Sequence, residues 1–186
     1  MPFIKTFIED LLIYEPVVHN DSRGYFFESY NEQTFHKEGV DMKFVQDNQA
    51  KSTYGVIRGL HYQLNPNAQT KLIRALSGTI LDVAVDIRKG SSTYGKAFTI
   101  ELSAENKKQL LVPRGFAHGY SVLSETAEVI YKCDNFYSKE SEGGIVYNDP
   151  ALEIDWKVPA DKAIVADRDL QHPLLANCKN TFVFEK

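Results

Sequence analysis

Cysteine is scarce in this chain: its 186 residues contain only Cys133 and Cys178, which match no metal-binding spacing such as CxxC. We therefore expect free thiols in a reducing cytoplasm rather than a disulfide framework. Basic residues are not in excess either, since 21 Lys and Arg accompany 25 Asp and Glu and give a formal net charge of -4. This balance argues against a protein that coats nucleic acid or an anionic membrane, although a local basic pocket for a phosphate stays open.

Long apolar runs are also missing. No stretch approaches the ~20 apolar residues of a membrane-spanning helix, and the opening MPFIKTFIED lacks the basic and apolar regions of a signal peptide. The length of 186 residues and the hydrophobic content of 43% are typical of a globular protein, and we predict one domain over residues 1–186. We expect a cytoplasmic protein with no membrane or nucleic-acid partner.

What the chain does contain is a series of short β-like runs separated by turns. Residues 79–87, TILDVAVDI, alternate most cleanly, and similar runs recur without intervening helices, which predicts an all-β sandwich or barrel. Residues 11–18 are predicted to form an edge strand because Pro16 cannot donate to a ladder. Helical composition predicts short helices at residues 31–39 and 169–180.

One of these runs, residues 55–64 (GVIRGLHYQL), carries Arg58, His61 and Gln63 inside a β-like stretch. Strict alternation would place Arg58 and His61 on opposite faces of the strand. Gly59 between them suggests a bulge or a close backbone approach, and a bulge could bring both side chains to one face. The alternative is an edge strand with a solvated arginine and a hydrogen-bonded histidine.

Other polar groups interrupt apolar stretches further along the chain. A lysine, a histidine, two tyrosines and two aspartates do so: Lys71, His118, Tyr131, Tyr137, Asp167 and Asp169. Each has a structural explanation, such as a snorkelling lysine, a packing tyrosine or, for Asp169, a helix N-cap. Together they could supply a base, an acid and an oxyanion stabiliser, but the pattern does not show that they converge.

A metal site is not predicted. A metal-binding cupin carries a His-x-His pair, whereas this chain has His61-Tyr62-Gln63 at the corresponding place. Lys71 lies near the position at which such a cupin has a carboxylate ligand. His118, in PRGFAH, looks like the histidine of the second cupin motif. Two histidines beside a cation make a poor divalent site, because metal ligands bind as neutral or anionic donors.

Several long motifs resemble the dTDP-4-dehydrorhamnose 3,5-epimerase family. They are DSRGYFFESY at residues 21–30, Gln46 with Asn48, RGLHYQ at 58–63, PRGFAHGYSVLS at 113–124 and YKCDNFYSKESEGGIVYNDP at 131–150. The resemblance implies a double-stranded β-helix, a cupin-like jelly roll with a few short helices, in a strand-exchanged homodimer. It also implies a cofactor-independent enzyme that epimerises C3 and C5 of a dTDP-4-keto-6-deoxyhexose.

The resemblance assigns roles to particular residues. His61 would be the base, Asp169 its partner, Lys71 the stabiliser of the C4 oxyanion and Tyr131 the acid on the opposite face of the sugar. The substrate-binding residues that it implies are Arg23, Phe26, Glu28, Gln46, Asn48, Arg58, His118, Tyr137 and Glu142.

The chain also departs from the family pattern. Arg168 precedes Asp169 where a lysine is usual, and Asp167 is a second carboxylate two residues away. We favour Asp169 as the partner of His61, because it keeps the register with the following Pro173.

Two alternative functions stay open. The first is epimerisation of a single centre or ketone isomerisation on a related sugar, and the second is a non-catalytic sugar-binding jelly roll. Retention of Tyr131 favours epimerisation, because inversion needs an acid on the far face of the sugar.

Overall fold

The computed structural model describes residues 2–185. Its strands are β1 Phe3–Lys5, β2 Leu12–Tyr14, β3 His19–Asp21, β4 Gly24–Phe26, β5 Gln46–Thr53, β6 Val56–Gln63, β7 Lys71–Ser77, β8 Thr79–Asp86, β9 Ala97–Ser103, β10 Gln109–Val112, β11 Phe116–Val122, β12 Thr126–Cys133, β13 Glu142–Gly144 and β14 Ile164–Val165. The helices are α1 Glu32–Lys37, α2 Asp167–Leu170 and single 3-10 turns at Lys139–Ser141, Pro150–Leu152, Ala160–Lys162 and Leu175–Asn177.

The strands form two large sheets and a separate hairpin. The first sheet has the order β1-β2-β10-β7-β12-β5, and the second has the order β13-β6-β11-β8-β9, with β14 parallel to β6. Strands β3 and β4 pair only with each other among the described residues. This architecture confirms the all-β prediction, and its two facing sheets are those of a jelly roll.

The space between the sheets is apolar towards one end. Ile73 and Val129 of the first sheet meet Ile80, Leu102 and Val122 of the second, and all five are essentially inaccessible to solvent. The second sheet is buried on its outer face as well, where Trp156 and Phe182 of the C-terminal segment cover it. Residues on β8 therefore lose contact with water on both sides of the sheet.

Strand β8 shows what this double burial does to its polar residues. Leu81, Val83 and Val85 pack on the outer face, while the alternate positions point between the sheets. Asp82 and Asp86 both lie at inward positions and are completely buried. A buried carboxylate is stable only with partners, and Asp82 finds one in the functional site.

Helix α1 begins where the sequence predicts a helix. Asn31 caps it, with its side-chain oxygen accepting from the backbone N–H groups of Gln33 at 3.0 Å and Thr34 at 3.2 Å. Such a cap satisfies backbone donors that have no partner inside the helix. Phe35 anchors the helix on the outer face of the first sheet. No helix among residues 2–185 combines the length and the apolar character needed to cross a bilayer.

Two predictions about elements are wrong. Strand β2 ends at Tyr14 and lies between β1 and β10, so it is not an edge; Pro16 lies beyond the strand and so does not break its ladder. The helix predicted over residues 169–180 is instead α2 followed by the turn Leu175–Asn177. Pro173 separates them, because a proline disfavours helical backbone in the preceding residue.

Candidate active site

The strand that carries Arg58 and His61 contains the bulge suggested by Gly59. In the pairing of β6 with β11, His61 lies opposite His118 and Arg58 lies opposite Tyr120, so two residues of β6 face Gly119 alone. Gly59 has φ +123°, and a Cβ there would be 2.6 Å from the Cα of Gly119. Only glycine fits this conformation and this approach without strain.

The bulge brings Arg58 and His61 to the same cavity between the two sheets. This cavity, of about 390 Å³, is lined by six of the residues singled out from the sequence: Arg58, His61, Lys71, His118, Tyr131 and Asp169. The edge position of the alternative is wrong, because β6 lies between β13 and β11. Its arginine and histidine are as that alternative has them, since Arg58 is exposed to solvent and His61 is hydrogen-bonded, but both side chains line the cavity.

Asp169 is the hydrogen-bond partner of His61. The parallel pairing of β14 with β6 delivers helix α2 to the cavity, and Asp169 is 2.9 Å from Nε2 of His61 through Oδ1. Its second oxygen, Oδ2, accepts from the backbone N–H of Gly59 at 3.3 Å. Asp167 is exposed on the same helix. The N-cap of α2 is Ala166, so Asp169 does not cap the helix.

The carboxyl group of Asp169 is held in its ionised form. Burial acts to raise its pKa, but the hydrogen bond and charge of His61, the Gly59 N–H and the charge of Arg168 more than offset that effect, and the pKa is lowered. An ionised carboxylate can only accept a hydrogen bond. His61 must therefore donate from Nε2, and in the neutral imidazole this tautomer leaves a lone pair on Nδ1.

Lys71 and Tyr131 face this pair from the first sheet. The Lys71 ammonium lies 5.9 Å from the centroid of the Tyr131 ring. Burial lowers the pKa of Lys71, against the opposing effects of Cys133 and Asp82. Burial, helped by the nearby Cys133, raises the pKa of the Tyr131 phenol to about 12. The phenol therefore keeps its proton at neutral pH.

A second histidine–aspartate pair lies deeper between the sheets. Nε2 of His118 is 2.9 Å from Oδ1 of Asp82, and both residues are buried. The other oxygen of Asp82, Oδ2, has no hydrogen-bond partner within residues 2–185. Arg58 is held from the first sheet, where its Nε donates to Ser52 Oγ at 3.1 Å.

Four further candidates, Gln46, Asn48, Tyr137 and Glu142, do not line the cavity but contact one another next to Tyr131. Asn48 lies opposite Tyr131 in the pairing of β5 with β12. Gln46 donates to Asn48 through Nε2 at 3.1 Å, and its Oε1 accepts from the backbone N–H of Tyr137 at 3.2 Å. Partial burial and a hydrogen bond to Glu142 raise the pKa of the Tyr137 phenol. These contacts form a polar rim next to the catalytic candidates.

The N-terminal candidates are not part of this cavity. Arg23 and Phe26 belong to the β3–β4 hairpin, and Glu28 follows it. Arg23 pairs with Asp21 at 2.6 Å and Phe26 is 69% exposed. Within one described chain, these three side chains are separate from His61.

Sequence reasoning missed His172 and did not select Arg168 for the site. Nε2 of His172 is 3.8 Å from Oδ1 of Asp169, and Nε of Arg168 is 3.3 Å from the same oxygen. Burial and the charge of His61 lower the pKa of His172. Arg168 could have been found from the sequence, because it is the neighbour of Asp169. His172 could not, because it lies in the segment 169–180 that the sequence predicts to be a helix.

Comparison with known proteins gives consistent similarities. The family model described as dTDP-4-dehydrorhamnose 3,5-epimerase matches residues 5–177. A dTDP-4-dehydrorhamnose 3,5-epimerase of Shigella flexneri is 53% identical over 171 residues, which are 91% of this chain and 93% of that protein. The crystal structure of the enzyme of that name from Elizabethkingia anophelis NUHP1 has a TM-score of 0.92 at 53% identity, over 96% of this chain and 98% of that one.

Solved structures with ligands are similar too. The Legionella pneumophila dTDP-6-deoxy-D-glucose-3,5-epimerase in complex with dTDP-4-keto-L-rhamnose has a TM-score of 0.90 at 44% identity, over 94% of this chain and 93% of that one. A 3'-monoepimerase from Streptomyces bikiniensis in complex with dTDP-quinovose has a TM-score of 0.86 at 34% identity, over 92% and 86%. By the family model and these relatives together, the chain belongs to the dTDP-4-dehydrorhamnose 3,5-epimerase family.

Proposed function

We propose that this protein converts dTDP-4-dehydro-6-deoxy-D-glucose into dTDP-4-dehydro-L-rhamnose by epimerising C3 and C5, without a cofactor. The observation that carries the proposal is the arrangement of the cavity. His61 stands on the second sheet with Asp169 of α2 bonded to it, Tyr131 stands on the first sheet, and Lys71 lies beside Tyr131. A base and an acid on opposite walls are what inversion of a carbon centre requires.

His61 acts as the base in this proposal. The C4 ketone of the substrate acidifies the protons on C3 and C5, because the resulting carbanion is an enolate. Nδ1 of His61 takes one of these protons, while Nε2 keeps its hydrogen bond to Asp169 at 2.9 Å. The carboxylate holds the correct tautomer and stabilises the imidazolium that forms.

Lys71 and Tyr131 complete the proposed cycle. The Lys71 ammonium faces the C4 oxygen, where a fixed cation stabilises the enolate more than the ketone. The Tyr131 phenol then donates its proton to the opposite face of the same carbon. The cycle closes when solvent takes the proton from His61 and returns one to the Tyr131 phenolate, so each inversion introduces one solvent hydrogen into the sugar.

The polar rim is proposed to bind the dTDP part of the substrate. Arg58 presents a guanidinium whose forked donors suit phosphate oxygens. His118 lies on the neighbouring strand and lines the cavity. Asn48 pairs with Tyr131, and hydrogen bonds link Asn48 to Gln46 and Gln46 to Tyr137, so amide and phenol groups continue from the cavity towards Glu142. These groups offer donors and acceptors to a pyrophosphate, a deoxyribose and a thymine.

A homodimer would account for the N-terminal candidates. Arg23, Phe26 and Glu28 lie away from the cavity of their own chain, and the hairpin exposes the aromatic rings of Tyr25 and Phe26. We propose that the hairpin of one chain covers the nucleotide end of the cavity in a second copy.

The cytoplasm is the proposed compartment, because Cys133 and Cys178 are free thiols.

The test is proton NMR of dTDP-4-keto-6-deoxyglucose with the protein in D2O, with the product trapped by a rhamnose-forming reductase. Deuterium at both C3 and C5 is the expected result. Deuterium at one carbon would move the protein to single-centre epimerases such as the Streptomyces relative. Binding by calorimetry without any exchange would overturn the enzymatic proposal.

Two variants make the test specific to the proposed residues. His61→Ala should lose exchange at both carbons, because no base remains. Tyr131→Phe should retain exchange at a reduced level yet fail to invert, since the enolate still forms but receives no proton on the far face. Exchange that survives in His61→Ala would show that another group is the base.

A further inference from the structure

His172 lies beside the proposed catalytic pair and has no role in the proton transfers described above. Its Nε2 is 3.8 Å from Asp169 Oδ1, and its ring stands edge-on to the ring of His61 with the centroids 5.6 Å apart. One ligand-type atom from each of His61, Asp169 and His172 lies within 4.8 Å of the other two. The site therefore contains two imidazoles and one carboxylate close enough together to be candidate ligands of one ion.

We propose that His61, Asp169 and His172 bind a divalent transition-metal ion of the Zn²⁺ class, and that this ion inhibits the enzyme. Zinc takes nitrogen and carboxylate ligands in tetrahedral sites, and three protein ligands with one open position is a common arrangement. Magnesium and calcium do not fit, because they prefer six or more oxygen ligands. This inhibitory site is compatible with a reaction that uses no metal.

The observed spacing is close to what such an ion needs. Tetrahedral bonds of ~2.0–2.1 Å place neighbouring ligand atoms about 3.3 Å apart. The carboxylate oxygen of Asp169 is 2.9 Å from the nitrogen of His61 and 3.8 Å from that of His172, so the two distances lie on either side of this value. The nitrogens of the two histidines lie within 4.8 Å of each other, so the rings must move for both to bind one ion.

The backbone holds these ligands in place. Strand β13 pairs with β6 so that Gly144 lies opposite His61, and a Cβ on Gly144 would be 2.5 Å from the ring of His172. The ring therefore packs directly on the Gly144 backbone. The Gly59 N–H donates to Oδ2 of Asp169, which leaves Oδ1 to face both histidines. Support of this kind orients metal ligands in known sites.

Nearby cations weaken the proposed site without blocking it. Arg168 lies 3.3 Å from Asp169 Oδ1, but 71% of its side chain is exposed, so it can swing into solvent. Lys71 lines the same cavity. We therefore expect reversible binding that is weaker than binding at a structural zinc site, where cysteine thiolates surround the ion.

Inhibition would follow from the chemistry of the imidazole ring, and this step rests on the proposed role of His61. A neutral imidazole has one N–H and one lone pair. In the free enzyme Nε2 carries the hydrogen and Nδ1 is the base. An ion that takes the lone pair of Nε2 forces the hydrogen onto Nδ1, which can then no longer accept a proton from the sugar.

The experiment titrates the purified full-length protein with Zn²⁺ and, separately, with Co²⁺. Calorimetry should show one Zn²⁺ bound per chain, and Co²⁺ should give the visible absorption of a tetrahedral complex. Zn²⁺ should lower deuterium exchange into the substrate by at least about tenfold at saturation, since a general base is lost. EDTA should restore the activity, and Mg²⁺ should have no effect.

His172→Gln distinguishes this site from other zinc-binding groups. It should stay folded by circular dichroism and lose both the calorimetric binding and the inhibition, measured as the fractional change that Zn²⁺ causes in the variant's own exchange rate. His36→Gln is the matched control, because His36 also lies beside a carboxylate, 3.2 Å from Asp41, but on the exposed surface. Zn²⁺ binding and inhibition should be unchanged in that control.

Three results would overturn the proposal. They are undiminished Zn²⁺ binding by His172→Gln, no specific binding by the wild-type protein, and binding that leaves proton exchange unaffected. Because calorimetry and Co²⁺ absorption do not depend on turnover, the metal site can be judged even if the proposed epimerase activity proves wrong.

Discussion

The environments of Asp167 and Asp169 differ although the two residues share one turn of helix. Asp169 is 2% exposed and touches His61, whereas Asp167 is exposed to solvent. We expect Asp169→Asn to lower deuterium exchange by about a hundred- to ten-thousand-fold. This is the contribution typical of a general base, and without the carboxylate His61 is no longer held in the tautomer that can act as one. Asp167→Asn is the matched control and should exchange at the wild-type rate; the reverse result would assign the partner of His61 to Asp167.

Burial shifts the two groups on the opposite wall in different directions. The pKa of Lys71 is lowered, so this lysine loses its charge at a lower pH than an exposed one, while the Tyr131 pKa of about 12 keeps the phenol protonated. Exchange should therefore fall as pH rises through the pKa of Lys71, because an uncharged amine no longer stabilises the enolate. A pH profile of the exchange rate measures this fall.

Two variants identify the group responsible for that alkaline decline. Lys71→Arg should shift it to higher pH, because a guanidinium stays charged. Tyr131→Phe, which should retain residual exchange, is expected to leave the midpoint unchanged. A decline that moves in Tyr131→Phe and stays in place in Lys71→Arg would assign it to the phenol instead.

Among the elements, the bulge in β6 contributes most to the geometry of the site. Gly59 and Gly24 have similar φ angles, +123° and +129°. A Cβ would have open space at Gly24, whereas at Gly59 it would be 2.6 Å from the Cα of Gly119. Gly24→Ala should lower the free energy of unfolding by roughly 1 kcal/mol from backbone strain alone.

Gly59→Ala adds a steric clash to that strain. We expect it to cost about 1–3 kcal/mol more than Gly24→Ala, because the backbones of β6 and β11 must move apart. Exchange activity should fall with it, since the same shift separates His61 from Asp169. Urea unfolding measures the free energy of unfolding of both variants. Equal losses would show that β11 moves away from residue 59 without lowering the stability further.

At the scale of the whole molecule, the proposed dimer predicts that two defective chains can complement each other. A chain with Arg23→Ala and Phe26→Ala has an intact cavity but a defective hairpin, and His61→Ala has the opposite defects. In a hybrid dimer, the cavity of the first chain would meet the intact hairpin of the second. Mixing equal amounts after reversible unfolding should restore about a quarter of the wild-type activity, since half of the dimers are hybrids with one good site.

Recovery of activity in the mixture is the informative outcome, with each variant alone as its control. Differently tagged chains show whether hybrid dimers form. If they form and activity does not recover, the hairpin does not act on the cavity of a second copy. A protein that sedimented as a monomer would contradict the dimer itself.

The sequence alone determined the fold class, the bulge in β6 and the beginning of α1, because these features depend on residues that are close together in the chain. Short β-like runs separated by turns, without intervening helices, predicted an all-β protein. Gly59 inside a strand predicted the bulge, and Asn31 marked the beginning of α1. The long motifs carried the family resemblance and, with it, the proposed residues. Local patterns failed at β2, where the sheet adds a strand beyond Leu12–Tyr14, and at residues 169–180, where Pro173 divides the segment.

Only the tertiary structure decided which polar groups meet, because these contacts join residues far apart in the chain. The pairing of β14 with β6 brings Asp169 to His61 across 108 positions, and the double burial of β8 leaves Asp82 to pair with His118. His172 follows α2, and its ring packs on Gly144 of β13. Its contact with the site therefore depends on the same path of the chain. Spacing along a sequence carries no information about such contacts, since the free energy that forms them comes from packing the two sheets.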